Sequence, residues 1–157
     1  MSISDKYREA LARKDEAAKR SGRSPEEVTL MAVTKTRTAE EINEVVDAGA
    51  TDIGENKVQE IMEKFDKVKP VRWHLIGHLQ TNKVKNVVDK VVMIHSVDSF
   101  HLAKEIDKRS KAIDKVMDIL IEINSAMEDT KSGIAAADVK ALVTEISESC
   151  ENIRVCG

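Results

Sequence analysis

Apolar positions along the chain fall into two rhythms that take turns. Short, nearly unbroken runs rich in Val and Ile alternate with longer stretches in which apolar residues return at helical spacing. The first rhythm suits strands covered on both faces, and the second suits helices with one apolar side. From Ser4 to about Arg20 the residues Tyr7, Ala10, Leu11, Ala17 and Ala18 lie among charges. That predicts a weakly amphipathic helix on the outside of the fold, broken by S-G-R-S-P. The run from Val28 to Thr36, V-T-L-M-A-V-T-K-T, reads as a buried parallel strand that ends on a lysine.

The strand and helix pair then recurs. Thr38 and Glu41 have capping-box spacing ahead of a helix whose apolar side is Ile42, Val45, Val46 and Ala48, ended by Gly49. A short strand through Asp52, Ile53 and Gly54 leads to a helix carrying Val58, Ile61, Met62 and Phe65. Val71 to Gly77 reads as a strand, followed by a helix from about Gln80 through Val88. V-V-M-I-H-S-V precedes a helix opened by Asp98 or Ser99. K-V-M-D-I-L-I-E-I-N starts another unit, with a helix from about Ala135 to Ser149, and Ile153 to Gly157 is one more strand. Strands that alternate with helices throughout imply crossover connections, hence a parallel sheet and an α/β class.

Composition narrows the functional classes. A chain of 157 residues suits one domain, 1–157. A net charge of -3, with 34% charged residues of mixed sign, gives no strong field to recruit nucleic acid or a membrane surface. Aromatics at 3% fit a helix-covered parallel sheet better than a sandwich. Cys150 and Cys156 match no metal-ligand spacing with the four histidines and read as free thiols. No apolar run nears the roughly 20 residues of a membrane span, and the N-terminus lacks a signal-peptide core, so a cytoplasmic location is expected.

Candidate chemistry collects where strands end, the edge at which α/β folds bind ligands. Lys35, Thr36 and Arg37 follow the first strand; Glu55, Asn56 and Lys57 the second; His78, Gln80, Asn82 and Lys83 the third; His95, Ser96 and Asp98 the fourth; Asn124 and Ser125 the fifth. An amine held half out of water at that edge keeps a neutral fraction able to attack a carbonyl, which makes Lys35 a candidate imine-forming residue. The alternative is a strand-end lysine whose stem lies along the strand while its head reaches solvent. Gly54 and Gly77 end strands where a backbone must come close to something, yet neither belongs to a nucleotide-binding glycine pattern. His74 and His78 span a strand and its turn rather than one helix face, which argues against a shared metal. Asp98, Ser99 and Thr38 are best explained as helix caps.

Taken together, L-M-A-V-T-K-T at Leu30 to Thr36, D-I-G-E-N-K-V-Q-E at Asp52 to Glu60, W-H-L-I-G-H-L-Q-T-N-K at Trp73 to Lys83, H-S-V-D at His95 to Asp98, and E-I-N with D-T-K-S-G at Asp129 to Gly133 are familiar. In this order they resemble the pyridoxal phosphate homeostasis protein family. The resemblance runs from about residue 4 to 157 and implies a modified TIM barrel of the alanine racemase N-terminal type. It implies that Lys35 carries pyridoxal 5'-phosphate as an internal aldimine, with Asn56, Gly77, His78 and Gln80 lining the cofactor. It also implies a carrier that affects vitamin B6 and amino-acid balance, with pyridoxal phosphate and, beyond it, cofactor-dependent apoenzymes as partners, rather than an enzyme with turnover.

The same resemblance sets a discrepancy. A complete barrel commonly takes about 250 residues, and the family's remaining segment supplies a serine motif, an arginine facing the pyridine nitrogen and the phosphate-holding turn. The barrel is therefore expected to be incomplete at the C-terminal end and to bind the cofactor weakly or not at all as it stands. It is also expected to expose a sheet edge and an apolar inner face, so that the chain aggregates, pairs with a neighbour or, the preferred reading, belongs to a longer polypeptide. Two other readings compete: a cofactor-dependent amino-acid racemase, and a flavodoxin-like open sheet acting as a non-catalytic interaction module. Lys131 is the second lysine to consider as acceptor.

Overall fold

The computed structural model describes residues 2–126 and 132–157. Helix α1 (Ile3–Arg20) is closed at its start by Ser2, whose side chain accepts from the Asp5 N–H while Asp5 accepts from the Ser2 N–H. Its Tyr7 and Leu11 pack with Leu30, Val45 and Ala50 in a small cluster of their own. Strand β1 (Met31–Val33) follows, then α2 (Ala39–Asp47), β2 (Asp52–Glu55), α3 (Val58–Lys64), β3 (Arg72–Leu75), β4 (Val91–Val97), α4 (Phe100–Lys111), β5 (Met117–Ile121), α5 (Val139–Ser149) and β6 (Ile153–Val155). Thr38 and Glu41 form the expected capping box on α2, and Gly49 beyond it adopts a φ of 105°, open to glycine at little cost.

All six strands are parallel, in the order β1-β2-β3-β4-β5-β6. Sequential order with a helix at most crossovers is the winding of a barrel, and it excludes the flavodoxin-like alternative, whose order reverses at a switch point. The sheet is an open arc with β1 and β6 at its edges. Its convex face is the core: Ile53, Trp73, Leu75, Ile94, Met117 and Ile119 meet Ile42, Ile61, Ile106, Leu142 and Ile146 from α2 to α5. Period-two strands against period-3.6 helices place these apolar residues together.

Three expectations need correction. The Val28 to Thr36 strand is shorter, Met31–Val33, and is not covered on both faces: Val33 is 51% exposed. The helix expected from about Gln80 through Val88 is shorter, a 3-10 helix over Thr81–Asn86, with Val84 buried beneath it. The concave face is not the apolar wall expected of an unclosed arc. Alongside Met31, Val92 and Met93 it carries Asp52, Arg72, His74, His95 and Asp118 around a cavity of about 440 Å³.

Candidate cofactor site at the carboxyl edge

Three neighbouring strand exits build the site. Beyond β1 the chain turns at once, with the Arg37 N–H donating to the Thr34 carbonyl at 3.1 Å and Thr36 taking a left-handed φ of 64°. A β-branched residue holds that conformation only where its surroundings impose it. Here the Thr34 N–H donates to the Gly54 carbonyl at 2.9 Å, the Lys64 ammonium donates to the Thr34 carbonyl at 3.2 Å, and the Thr36 N–H donates to Glu60 Oε2 at 2.9 Å. Lys35 sits between these two anchored residues with an exposed side chain. Its strand is the first in the sheet, paired with β2.

Asn56 follows β2 and Gly77 follows β3. The Ile76 N–H donates to the Glu55 carbonyl at 2.9 Å, continuing the β2–β3 pairing past the strand ends. Gly77 then lies against the main chain of Asn56: a Cβ there would stand 2.8 Å from the Asn56 Cα and closer still to its carbonyl oxygen. Only glycine permits that approach. His78 and Gln80 are exposed in the loop that follows, Gln80 being the residue that precedes the 3-10 helix. Lys35, Asn56, Gly77, His78 and Gln80 thus all leave the same edge of β1, β2 and β3, with Asn56 and Gly77 in direct contact.

Other candidates fall elsewhere. Glu55, expected in a loop, ends β2 and is fully buried; it accepts from Thr34 Oγ1 at 2.9 Å and from Lys64 at 2.8 Å. His95 and Ser96 lie inside β4 rather than after it. The Asn124 N–H donates to the Ile134 carbonyl at 2.9 Å, and Lys131 lies outside the described residues. Cys150 and Cys156 are free thiols, one buried and one exposed.

A polar chain crosses the concave face and was not expected. Arg72 donates to Asp52 Oδ2 at 2.6 Å; Asp52 Oδ1 meets His74 Nε2 at 2.8 Å; His74 Nδ1 meets His95 Nε2 at 2.9 Å. Burial alone would raise the Asp52 carboxyl, but hydrogen bonds from Arg72, Thr51 and His74 outweigh it and hold it below the usual carboxylate value. Burial, with the neighbouring His74, pushes His95 below 6.5. The available signal was polar residues at alternate positions of otherwise apolar strands, as in R-W-H-L. Among the described residues no group of three or more His, Cys, Asp or Glu is arranged for a metal ion. Nor is any helix among them long and apolar enough to cross a membrane.

A sequentially wound parallel arc with a lysine at the exit of its first strand defines a barrel-type α/β domain whose ligand edge is the carboxyl one. The chain belongs to the family of the alanine racemase N-terminal domain, whose model matches residues 8–157. It is 39% identical over its whole length to the pyridoxal phosphate homeostasis protein of Aquifex aeolicus (strain VF5), covering 69% of that protein. It is also 39% identical over 84% of its length to the protein of the same name from Escherichia coli (strain K12), covering 58% of it. Among solved structures, PipY of Synechococcus elongatus PCC7942 with PLP bound superposes with a TM-score of 0.74 at 29% identity, over 94% of this chain and 68% of that one. The chain therefore spans roughly three-fifths to seven-tenths of the length of these relatives.

The described residues fit a pyridoxal-type ligand in part. A primary amine stands on a braced turn, and the tight Gly77 to Asn56 contact closes the floor between the next two exits. Among the described residues we assign no phosphate grip.

Proposed function

We propose that this chain holds pyridoxal 5'-phosphate through Lys35 and serves vitamin B6 homeostasis as a carrier rather than as a catalyst. The observation that carries the reading is the placement of Lys35 on a turn fixed to the exit of β2, in a family where a relative has the cofactor bound. When bound, the cofactor supplies an aldehyde that a neutral amine condenses with, losing one water, and a pyridine ring that draws electrons. Lys35 is the covalent holder. Asn56 and Gly77 form the floor, Gly77 by its lack of a side chain, and His78 and Gln80 line the rim. Cofactor-dependent apoenzymes in the cytoplasm are the receiving partners.

One further observation favours a carrier over a racemase. Inverting an amino acid needs a base on one face of the α-carbon to take its proton and an acid on the opposite face to return one. The single tyrosine of this sequence, Tyr7, lies in α1 and is buried against Val45 and Ala50 rather than standing at a strand exit opposite Lys35. Mixing the protein with pyridoxal 5'-phosphate should give an absorbance band that Lys35→Ala abolishes. A band of equal size in the variant would remove Lys35 from its assigned role, and exchange of an amino acid's α-proton in deuterated water would restore the racemase reading.

A further inference from the structure

We propose that Glu60, with Lys64 and Glu55 behind it, is a positioning residue for Lys35, fixing the main chain on both sides of the reactive lysine so that its amine is presented in one place. The inference rests on Lys35 being the cofactor's holder and adds the groups that set its presentation.

The three side chains form one chain of charge. Glu60 Oε2 accepts from Lys64 at 2.7 Å, one helical turn away on α3, and Lys64 donates to Glu55 Oε1 at 2.8 Å. Among the described residues, each bond these side chains make outside the cluster ends on Thr34 or Thr36: Glu55 with Thr34 Oγ1, Lys64 with the Thr34 carbonyl, Glu60 with the Thr36 N–H. Residues 34 and 36 are the immediate neighbours of Lys35.

Stability does not explain the arrangement. Glu55 is 0% exposed, and its Oε2 has no partner among the described residues. A half-satisfied buried carboxylate weakens a fold relative to an apolar residue of similar volume. The Thr36 φ adds strain at the same place. What the cluster secures is geometry, and geometry at the attachment point governs how readily an amine reaches a carbonyl. Lys64 and Glu60 are firmly charged: burial alone would lower Lys64, but Glu55 and Glu60 outweigh it and raise its pKa, while Lys64 and the Thr36 N–H hold the Glu60 carboxyl below its usual value.

The test compares the 157-residue chain with Glu60→Ala and Glu60→Gln, with Lys35→Ala as the blank. Two quantities are read: hydrogen exchange at the Thr36 amide, and the rate of that part of the pyridoxal phosphate band which Lys35→Ala abolishes. Glu60→Ala should speed exchange and slow attachment by about tenfold each, as loss of a bond and of alignment implies. Glu60→Gln keeps an acceptor for the Thr36 N–H and should stay within about threefold of the parent on both. If Glu60→Ala does not fold, Glu60→Asp takes its place with the same expected slowing, since its carboxylate is drawn back from Thr36. A parent with no Lys35-dependent band overturns the cofactor reading and this inference together. A parent with the band and a Glu60→Ala rate equal to it overturns the positioning role alone.

Discussion

Gly77 lies on the main chain of Asn56, so the exits of β2 and β3 are joined by a contact that admits no side chain. Gly77→Ala must push the two loops apart. We expect a loss of about 1–3 kcal/mol in urea unfolding, the usual effect of overpacking, together with a weaker cofactor band. A variant with parent stability and parent absorbance would show that the contact is dispensable.

Lys64 is the only cation among the described residues bonded to the fully buried Glu55. Lys64→Met should leave that carboxylate uncompensated and destabilise the fold by about 3–5 kcal/mol. The double variant Lys64→Met with Glu55→Met should recover most of the loss, because two apolar groups replace the pair. Additive losses in the double variant would contradict the coupling.

His95 gives the fold a pH dependence of defined sign. Its folded-state pKa is depressed below 6.5 by burial and by His74. Between the folded and unfolded values the unfolded chain binds more protons, so stability rises with pH across that window. This contribution is complete above about 6.5 and declines as the solution is acidified below it. His95→Gln should flatten the slope between about pH 7.5 and 5.5, read as the shift in urea midpoint. A parent more stable at the lower pH would contradict the assignment.

The α2 cap is a local test of the first βα unit. Thr38→Ala removes the oxygen that accepts from the Glu41 N–H at 3.3 Å. A loss of about 1 kcal/mol is expected by chemical denaturation. No loss would mean that the helix start is held by packing alone.

Local signals in the sequence sufficed for most elements. The capping pair Thr38 and Glu41, the run V-V-M-I-H-S-V and the Ser99 helix start all fall where periodicity and cap chemistry put them. A parallel α/β sheet follows from repeated βα units, and the loops of Lys35, Asn56 and Gly77 were legible as strand exits, whereas the sequential strand order that separates a barrel from a flavodoxin-like sheet is a property of the fold. What was not legible depends on pairing between strands. The Asp52, His74 and His95 chain needs β2, β3 and β4 side by side, and the bulges in β4 set which side its histidine takes. The surroundings of Lys35 depend on which strands and loops stand beside β1, a property of the assembled sheet. Glu60 and Lys64 sit at i, i+4 in plain view, but such a pair reads as a surface ion pair until the 34–36 turn is folded against it.

The most direct measurement is borohydride reduction of the protein mixed with pyridoxal 5'-phosphate, followed by peptide mapping. The account predicts a pyridoxyl tag on Lys35 in excess over every other lysine. A tag concentrated on a different lysine, or spread evenly over the surface lysines, would contradict it.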